Sequence, residues 1–291
     1  MPKELIKRVR KIEIKTKCLV DSLLQGSYRS VFKGRGIEFS DIREYKLGDD
    51  IRNIDWNVTA RTGRLHIKEF VEERDLSIYL LFDVSASNEF GSNKTKKQVA
   101  MEIAASLVFA AIRNNDNIAL CLFSNKVERF IPLGKGKKHA FMIIREMIRF
   151  KPKEKRTDIT NAIRFIARIA RKRGIIFIIS DFISNYEFLN KLKLLCYKHD
   201  VILIHLYDPS EIQIADVGYL LFEDAETGEQ ILVNTSSKEF RDNYRKNIEK
   251  KEREMENKLK KLGIDRIKIS SNEDFEIPLR KFFAIRLRRI R

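Results

Sequence analysis

The segment Phe82-Asp83-Val84-Ser85-Ala86-Ser87 carries a carboxylate and two hydroxyls at every second position, directly after an apolar run. Thr157 and a second aspartate, Asp181 in Ile179-Ser180-Asp181-Phe182, follow at later breaks in the pattern. Five oxygen donors of this kind suit a hard divalent cation; magnesium takes few protein groups and keeps several waters. Taken singly, a serine before a helix is a cap and an aspartate after a strand is a turn former. The metal reading rests on the set, in this order and on these elements.

Other chemistries find less support. Gly91-Ser92-Asn93-Lys94-Thr95 follows a strand and opens a helix, but it lacks the Gly-Lys pair and the spacing of a phosphate-binding loop. Gly134-Lys135-Gly136-Lys137-Lys138 has no neighbouring Ser or Thr for a nucleotide metal. None of His66, His139, His199 and His205 has an evident catalytic partner, and His205 stands in an apolar run as a core residue would. A metal-dependent hydrolase stays open, because carboxylates gather where strands end.

The elements that must position these donors are legible as periodicity. Ser77 to Phe82 reads as a buried strand, and Lys94 to Asn114 as a helix with Val99, Ile103, Leu107 and Ala110 on one face. Strands follow at Asn117 to Phe123 and Val127 to Ile131, then a helix from His139 to Phe150 that Pro152 stops. A helix from Ile159 to Arg173, closed by Gly174, leads to a strand at Ile175 to Ile179. Another helix, Glu187 to Lys198, and strand, Val201 to Leu206, continue the alternation. This is an α/β chain with a doubly wound, mostly parallel, Rossmann-like sheet, whose ligands bind at the carboxyl ends of its strands.

The alternation breaks at residues 217–235, where Glu226-Thr227-Gly228-Glu229 between apolar runs predicts a hairpin inserted on an edge. A long charged helix over 237–262 ends at Gly263, followed by a strand at Arg266 to Ser270 and a helix from Ile277 to about Arg288. Residues 1–75 form a separate loop-rich subdomain with a helical opening and a strand around Leu65 to Phe70; residues 76–291 form the α/β domain.

Composition sets the class. A hydrophobic share of 43% over 291 residues is ample for a buried core. No apolar run is long enough to span a bilayer, and the charged opening Met1-Pro2-Lys3-Glu4 is no secretory signal, which reads as cytoplasmic. Cys18, Cys121 and Cys196 are far apart and odd in number, as free thiols are. The net charge of +17 favours acidic partners, but it is spread along the chain without interleaved aromatics, so nucleic-acid binding rests on charge alone. The basic C-terminal helix, with Phe282, Phe283 and Leu287, offers an apolar face to the sheet or to an anionic membrane surface.

Asp-x-Ser-x-Ser, then a threonine, then an aspartate after a later strand resembles the metal-ion-dependent adhesion site of von Willebrand factor A domains. Over nearly the whole chain the sequence also resembles the domain of unknown function 58 family. That likeness rests on Gly34-Arg35-Gly36-Ile37-Glu38-Phe39, Arg43-Glu44-Tyr45, Gly48-Asp49-Asp50, Arg52, Ile54-Asp55-Trp56, Ala60-Arg61, Asp208-Pro209-Ser210-Glu211 and Asp224-Ala225-Glu226-Thr227-Gly228. Arg35 departs from the acidic residue expected between the two glycines, and Arg156 precedes Thr157 without a glycine pair. The N-terminal signature reads as structural, with Asp49 and Asp50 in a turn and Trp56 as a packing anchor.

The resemblance implies a von Willebrand A-like domain in which Ser85, Ser87 and Thr157 bind Mg2+, or another divalent cation, through hydroxyls, while Asp83 and Asp181 act largely through water. An exchangeable position on the ion would then take an acidic side chain of a protein partner. Family association further implies a non-enzymatic adaptor or co-chaperone working with a MoxR-type AAA+ ATPase.

Overall fold

The computed structural model describes residues 37–72, 76–91, 94–154, 156–183, 188–224 and 226–290. Cys18, Arg35 and the expected helical opening lie outside them. The described residues open with β1 (Ile37–Glu44), paired antiparallel to β2 (His66–Glu72). Between them stands a short helix α1 (Trp56–Thr62). Asp55 caps its start by accepting from the Asn57 and Val58 amides, and Gly63 closes it with φ 68°, the left-handed region that glycine enters without penalty.

Arg43 grips Asp49 with two hydrogen bonds of 2.7 and 2.9 Å, and Asp49 also accepts from the Lys46 amide. Asp49 is thus a turn residue, as its sequence context predicts. Trp56 is not the anchor expected of it: as the first residue of α1 it is 67% exposed, and Ile54 and Ile67 are the buried pair that closes this unit.

The α/β domain follows as β3 (Ser77–Asp83), α2 (Lys96–Arg113), β4 (Asn117–Phe123), β5 (Val127–Gly134), α3 (Gly136–Arg149), α4 (Ile159–Ile169), β6 (Ile175–Ser180), α5 (Phe188–Cys196) and β7 (Asp200–Tyr207). It continues through a hairpin β8 (Tyr219–Glu223) and β9 (Gln230–Asn234), α6 (Lys238–Leu262), β10 (Asp265–Ser270) and α7 (Glu276–Ile290). The central sheet has the order β10-β7-β6-β3-β4-β5, parallel except for β5. Chain order reverses beside β3, with β4 on one side and β6 on the other. This is the doubly wound, mostly parallel arrangement the alternation predicts.

Alternate side chains of each strand feed two separate cores. Ile78, Leu80, Leu120, Phe177, Ile204 and their neighbours pack under α2, α3 and α7; Leu81, Cys121, Ile178, Leu203 and theirs pack under α4, α5 and α6. Each fully buried Leu, Ile or Phe contributes about 1.5–3 kcal/mol of transfer free energy, so both faces clamp the strands. Leu279 and Phe283 place the apolar face of α7 in the first core, rather than leaving it free for a membrane surface. Among the described residues no helix is long and apolar enough to cross a membrane.

Three local expectations are corrected. The helix before β6 stops at Ile169, capped by Ala170, and Gly174 serves a different need: a Cβ there would lie 2.2 Å from the Ser77 carbonyl oxygen, so glycine lets two strands approach. The predicted hairpin forms, but its strands pair with each other rather than with an edge of the central sheet. The basic stretch before α3 is shorter than expected, because the helix begins at Gly136.

Candidate metal centre

Parallel register brings the carboxyl ends of the inner strands to one edge: Asp83 pairs with Phe123, Phe82 with Ile179, and Ser180 with His205. Asp83 ends β3 at the point where strand order reverses, the place in an open α/β sheet where loops part and ligands bind. Beyond it the chain turns through Ser85 into a single 3-10 turn, Ala86–Glu89, before α2 starts at a Thr95 and Gln98 capping box.

Asp83 is buried, 2% exposed. Its Oδ1 accepts from the Ser85 amide at 2.9 Å and its Oδ2 accepts from the Ser180 hydroxyl at 2.6 Å. Among the described residues no lysine, arginine or histidine pairs with it. Burial, followed by the Asp181 charge, pushes its carboxyl up to about 7 against the pull of the hydrogen bonds from Ser180 and Ser85.

Two and four residues further on, the hydroxyls of Ser85 and Ser87 lie 3.1 Å apart, one donating to the other. Asn88, also buried, donates from Nδ2 to the Asp83 carbonyl and to Ser85 Oγ at 3.4 Å each, while its Oδ1 finds no hydrogen-bond partner among the described residues.

Asp181 lies one residue past β6 and is buried like Asp83, but it has a cation of its own. Lys96, fully buried in the first turn of α2, donates to Asp181 Oδ2 at 2.7 Å and to Glu211 Oε1 at 2.6 Å. Burial works against the Lys96 ammonium, yet the two carboxylates outweigh it and hold its pKa above the ordinary value. The next residue, Phe182, has φ 52°, which an aromatic side chain rarely adopts. Stacking on Phe188 at 5.6 Å and an edge contact with His205 at 5.5 Å hold it there and fix the direction of the Asp181 loop.

Thr157 reaches the same edge through the neighbouring strand. The Val84 amide donates to the Phe123 carbonyl at 2.9 Å, and the Asp158 amide donates to the Ser124 carbonyl at 3.0 Å, so the Thr157 loop is tied to the end of β4. Its hydroxyl donates to Glu226 Oε1, at the tip of the β8–β9 hairpin, at 2.6 Å. Asp83, Ser85 and Ser87 are therefore in one hydrogen-bonded group, and Asp181 is coupled to it through charge. Thr157 stands on the adjacent loop with no direct bond to the serines.

The donor set fits a hard cation. It offers one carboxylate without a compensating charge, two adjacent hydroxyls, a third on the next loop, and an orphaned buried amide oxygen able to accept from bound water. Among the described residues no group of three or more His, Cys, Asp or Glu could hold a metal, so a cation here depends on hydroxyl oxygens. Cys121 and Cys196 are free, with burial pushing their thiols up to about 12 and about 11.

Four residues of the site carried no signal specific enough to find in the sequence. Lys96 is one lysine in the run Lys94, Lys96, Lys97; Ser180 and Asn88 stand beside predicted donors; Glu226 belongs to a turn distant in sequence.

A family model described as protein of unknown function DUF58 matches residues 41–254. The chain belongs to this family. The match to DUF58 spans β1 to α6 and so includes Asp83, Lys96, Thr157, Asp181 and Glu226. An uncharacterized protein of Mycobacterium tuberculosis is 30% identical over 223 residues, covering 76% of this DUF58 chain and 70% of that protein. Among solved structures, an aerotolerance-related membrane protein from Bacteroides fragilis aligns with TM-score 0.49 and 15% identity, covering 74% of this chain and 99% of that one. The SpRpn10 VWA domain aligns with TM-score 0.35 and 16% identity, covering 46% and 77%.

Proposed function

We propose that this DUF58 chain is a non-enzymatic protein-interaction module that captures an acidic side chain of a partner through a divalent cation, Mg2+ by preference, and that the partner is a MoxR-type AAA+ ATPase. The observation that carries the reading is the state of Asp83: a buried carboxylate with no cationic partner, beside the paired hydroxyls of Ser85 and Ser87. An uncompensated charge at that depth is costly, and a bound cation offsets it. The AAA+ assignment comes from the family resemblance alone.

Ser85, Ser87 and Thr157 would hold the ion through neutral oxygens, with Asp83 as the charged donor. Lys96 pairs with Asp181 and Glu211 and offsets one of their two charges, which lowers the negative charge facing the ion. Bound with few anionic donors, such an ion stays electrophilic and retains a position for a further carboxylate.

Hydrolysis fits the geometry less well. A carboxyl pushed up to about 7 suits a general base; each Asp83 oxygen accepts one hydrogen bond, from the Ser85 amide or the Ser180 hydroxyl, and keeps a lone pair, so the preference for capture rests on the paired hydroxyls beside it.

The test is an affinity pull-down with wild type and Asp83→Ala, each with Mg2+ and with chelator. Recovery of an AAA+ ATPase by wild type in Mg2+ and its loss in the other three conditions is the expected result. Partner binding that ignores both chelator and mutation would overturn the metal-bridged mechanism.

A further inference from the structure

The β8–β9 hairpin places a carboxylate on the Thr157 loop, which stands beside the candidate metal centre. Asp224 organises the turn by accepting from the Glu226 and Thr227 amides at 2.8 Å each, and its backbone carbonyl accepts from Gly228 at 2.7 Å. Asp224, Thr227, Gly228 and Glu229 are exposed, whereas Glu226 is half-buried against the Thr157 loop. Arg156 adds an electrostatic pull on Asp224, whose carboxyl is held low chiefly by the Thr227 and Glu226 amides. The turn is thus held on the Thr157 loop by the Glu226 hydrogen bond.

Among the described residues Glu226 has no lysine or arginine partner; one oxygen accepts from the Thr157 hydroxyl and the other has no hydrogen-bond partner. A threonine hydroxyl that gives its proton to a carboxylate keeps its lone pairs free for a cation. The same bond that seats Glu226 therefore leaves Thr157 able to coordinate, with an unengaged carboxylate oxygen beside it.

We propose that Glu226 is a ligand of the cation at this centre: the chain's own carboxylate fills the position that an acidic partner side chain would take, and the hairpin acts as an internal competitor for it. An acidic partner then binds by displacing Glu226, so partner affinity is set by the difference between two carboxylates rather than by the ion alone. This inference rests on the metal reading of Asp83, Ser85, Ser87 and Thr157.

The test uses Mn2+ as the probe on the full chain: wild type, Glu226→Ala, Glu226→Gln, Asp83→Ala, and Glu229→Ala as a control on the same turn. Calorimetric titration gives affinity, and water-proton relaxation by bound Mn2+ reports exchangeable waters on the ion. Wild type and Glu229→Ala should behave alike. Both Glu226 variants should bind Mn2+ about tenfold more weakly, with higher relaxation enhancement as water fills the freed position, and added acetate should lower that enhancement. Asp83→Ala should bind no Mn2+.

Unchanged relaxation and affinity in both Glu226 variants, with binding still lost in Asp83→Ala, would overturn Glu226 as a ligand and leave the metal site standing. Wild type failing to bind Mn2+, or Asp83→Ala binding as wild type does, would overturn the site and this inference with it.

Discussion

On the β7–β10 side of the sheet, Glu252 of α6 accepts from Lys268 at 2.9 Å and Arg266 at 3.3 Å, and His205 Nδ1 lies 3.8 Å away. At the end of β3, Asp83 is buried more deeply and meets hydroxyls and amides but no cation among the described residues. Burial opposes both carboxylates. For Glu252 the neighbouring His205, Lys268 and Arg266 outweigh it and hold the carboxyl below its usual range, whereas Asp83 is driven up to about 7. The first cluster is electrically closed by the fold and reads as structure. The second leaves Asp83 without a cation of its own, and that difference separates a candidate site from a packing solution.

Four measurements test whether the two clusters differ in this way. The largest effect is expected at Lys96, which closes Asp181 and Glu211: Lys96→Ala should cost about 3–5 kcal/mol in denaturant unfolding, because it strands two carboxylates. A loss below 1 kcal/mol would mean that water already reaches them. Next, Asp83→Asn should weaken Mg2+ binding by about 100-fold, close to 3 kcal/mol, while leaving the stability of the chelator-treated protein level or slightly higher. A large stability loss without metal would instead make Asp83 a structural residue.

Glu252→Gln, by contrast, should destabilise by about 1–2 kcal/mol with or without Mg2+, since it uncovers Arg266 and Lys268 at a partly exposed cluster. Any metal dependence in that loss would blur the two regions.

The smallest effects are in pH, where the two clusters should act with opposite sign. His205 is faced by Glu252, Arg266, Lys268 and Asp181, and burial lowers its pKa to about 4 from an ordinary 6.5. Between those values the unfolded chain binds more protons, so this contribution is complete above about 6.5 and is lost as pH falls toward 4. Asp83 in metal-free protein is the reverse: from 3.8 to about 7 the folded state binds more protons, so its contribution falls as pH rises. Melting curves of His205→Gln and Asp83→Asn in chelator should each remove one slope and keep the other.

Much of the frame was legible because strand and helix periods are written in apolar residues. Ser77 to Phe82 and Ile175 to Ile179 predict buried strands, and β3 and β6 stand there with every residue buried. The placement of Asp83 and Asp181 at one edge follows from that. Trp56 misled because a large aromatic carries the same letter whether it anchors a core or faces solvent; here the position next to the Asp55 cap turns it outward. Gly174 misled because close approach of two strands and helix termination ask for the same residue. Lys96 and Glu226 were illegible for a further reason: each meets its partner across 85 and 69 residues of chain, distances over which no local period carries information.

Leu220, Leu221, Phe222, Ile231 and Leu232 are exposed, and β8 and β9 pair with each other alone. A two-stranded ribbon with both faces wet has little stability of its own in water. Its persistence depends on its base, where Thr235 bonds Gly218 from both amide and hydroxyl, and on the Glu226 bond to Thr157 at its tip. The ribbon should therefore open locally far more often than the sheet beside it, and its amides should exchange with solvent well before those of β3 or β6.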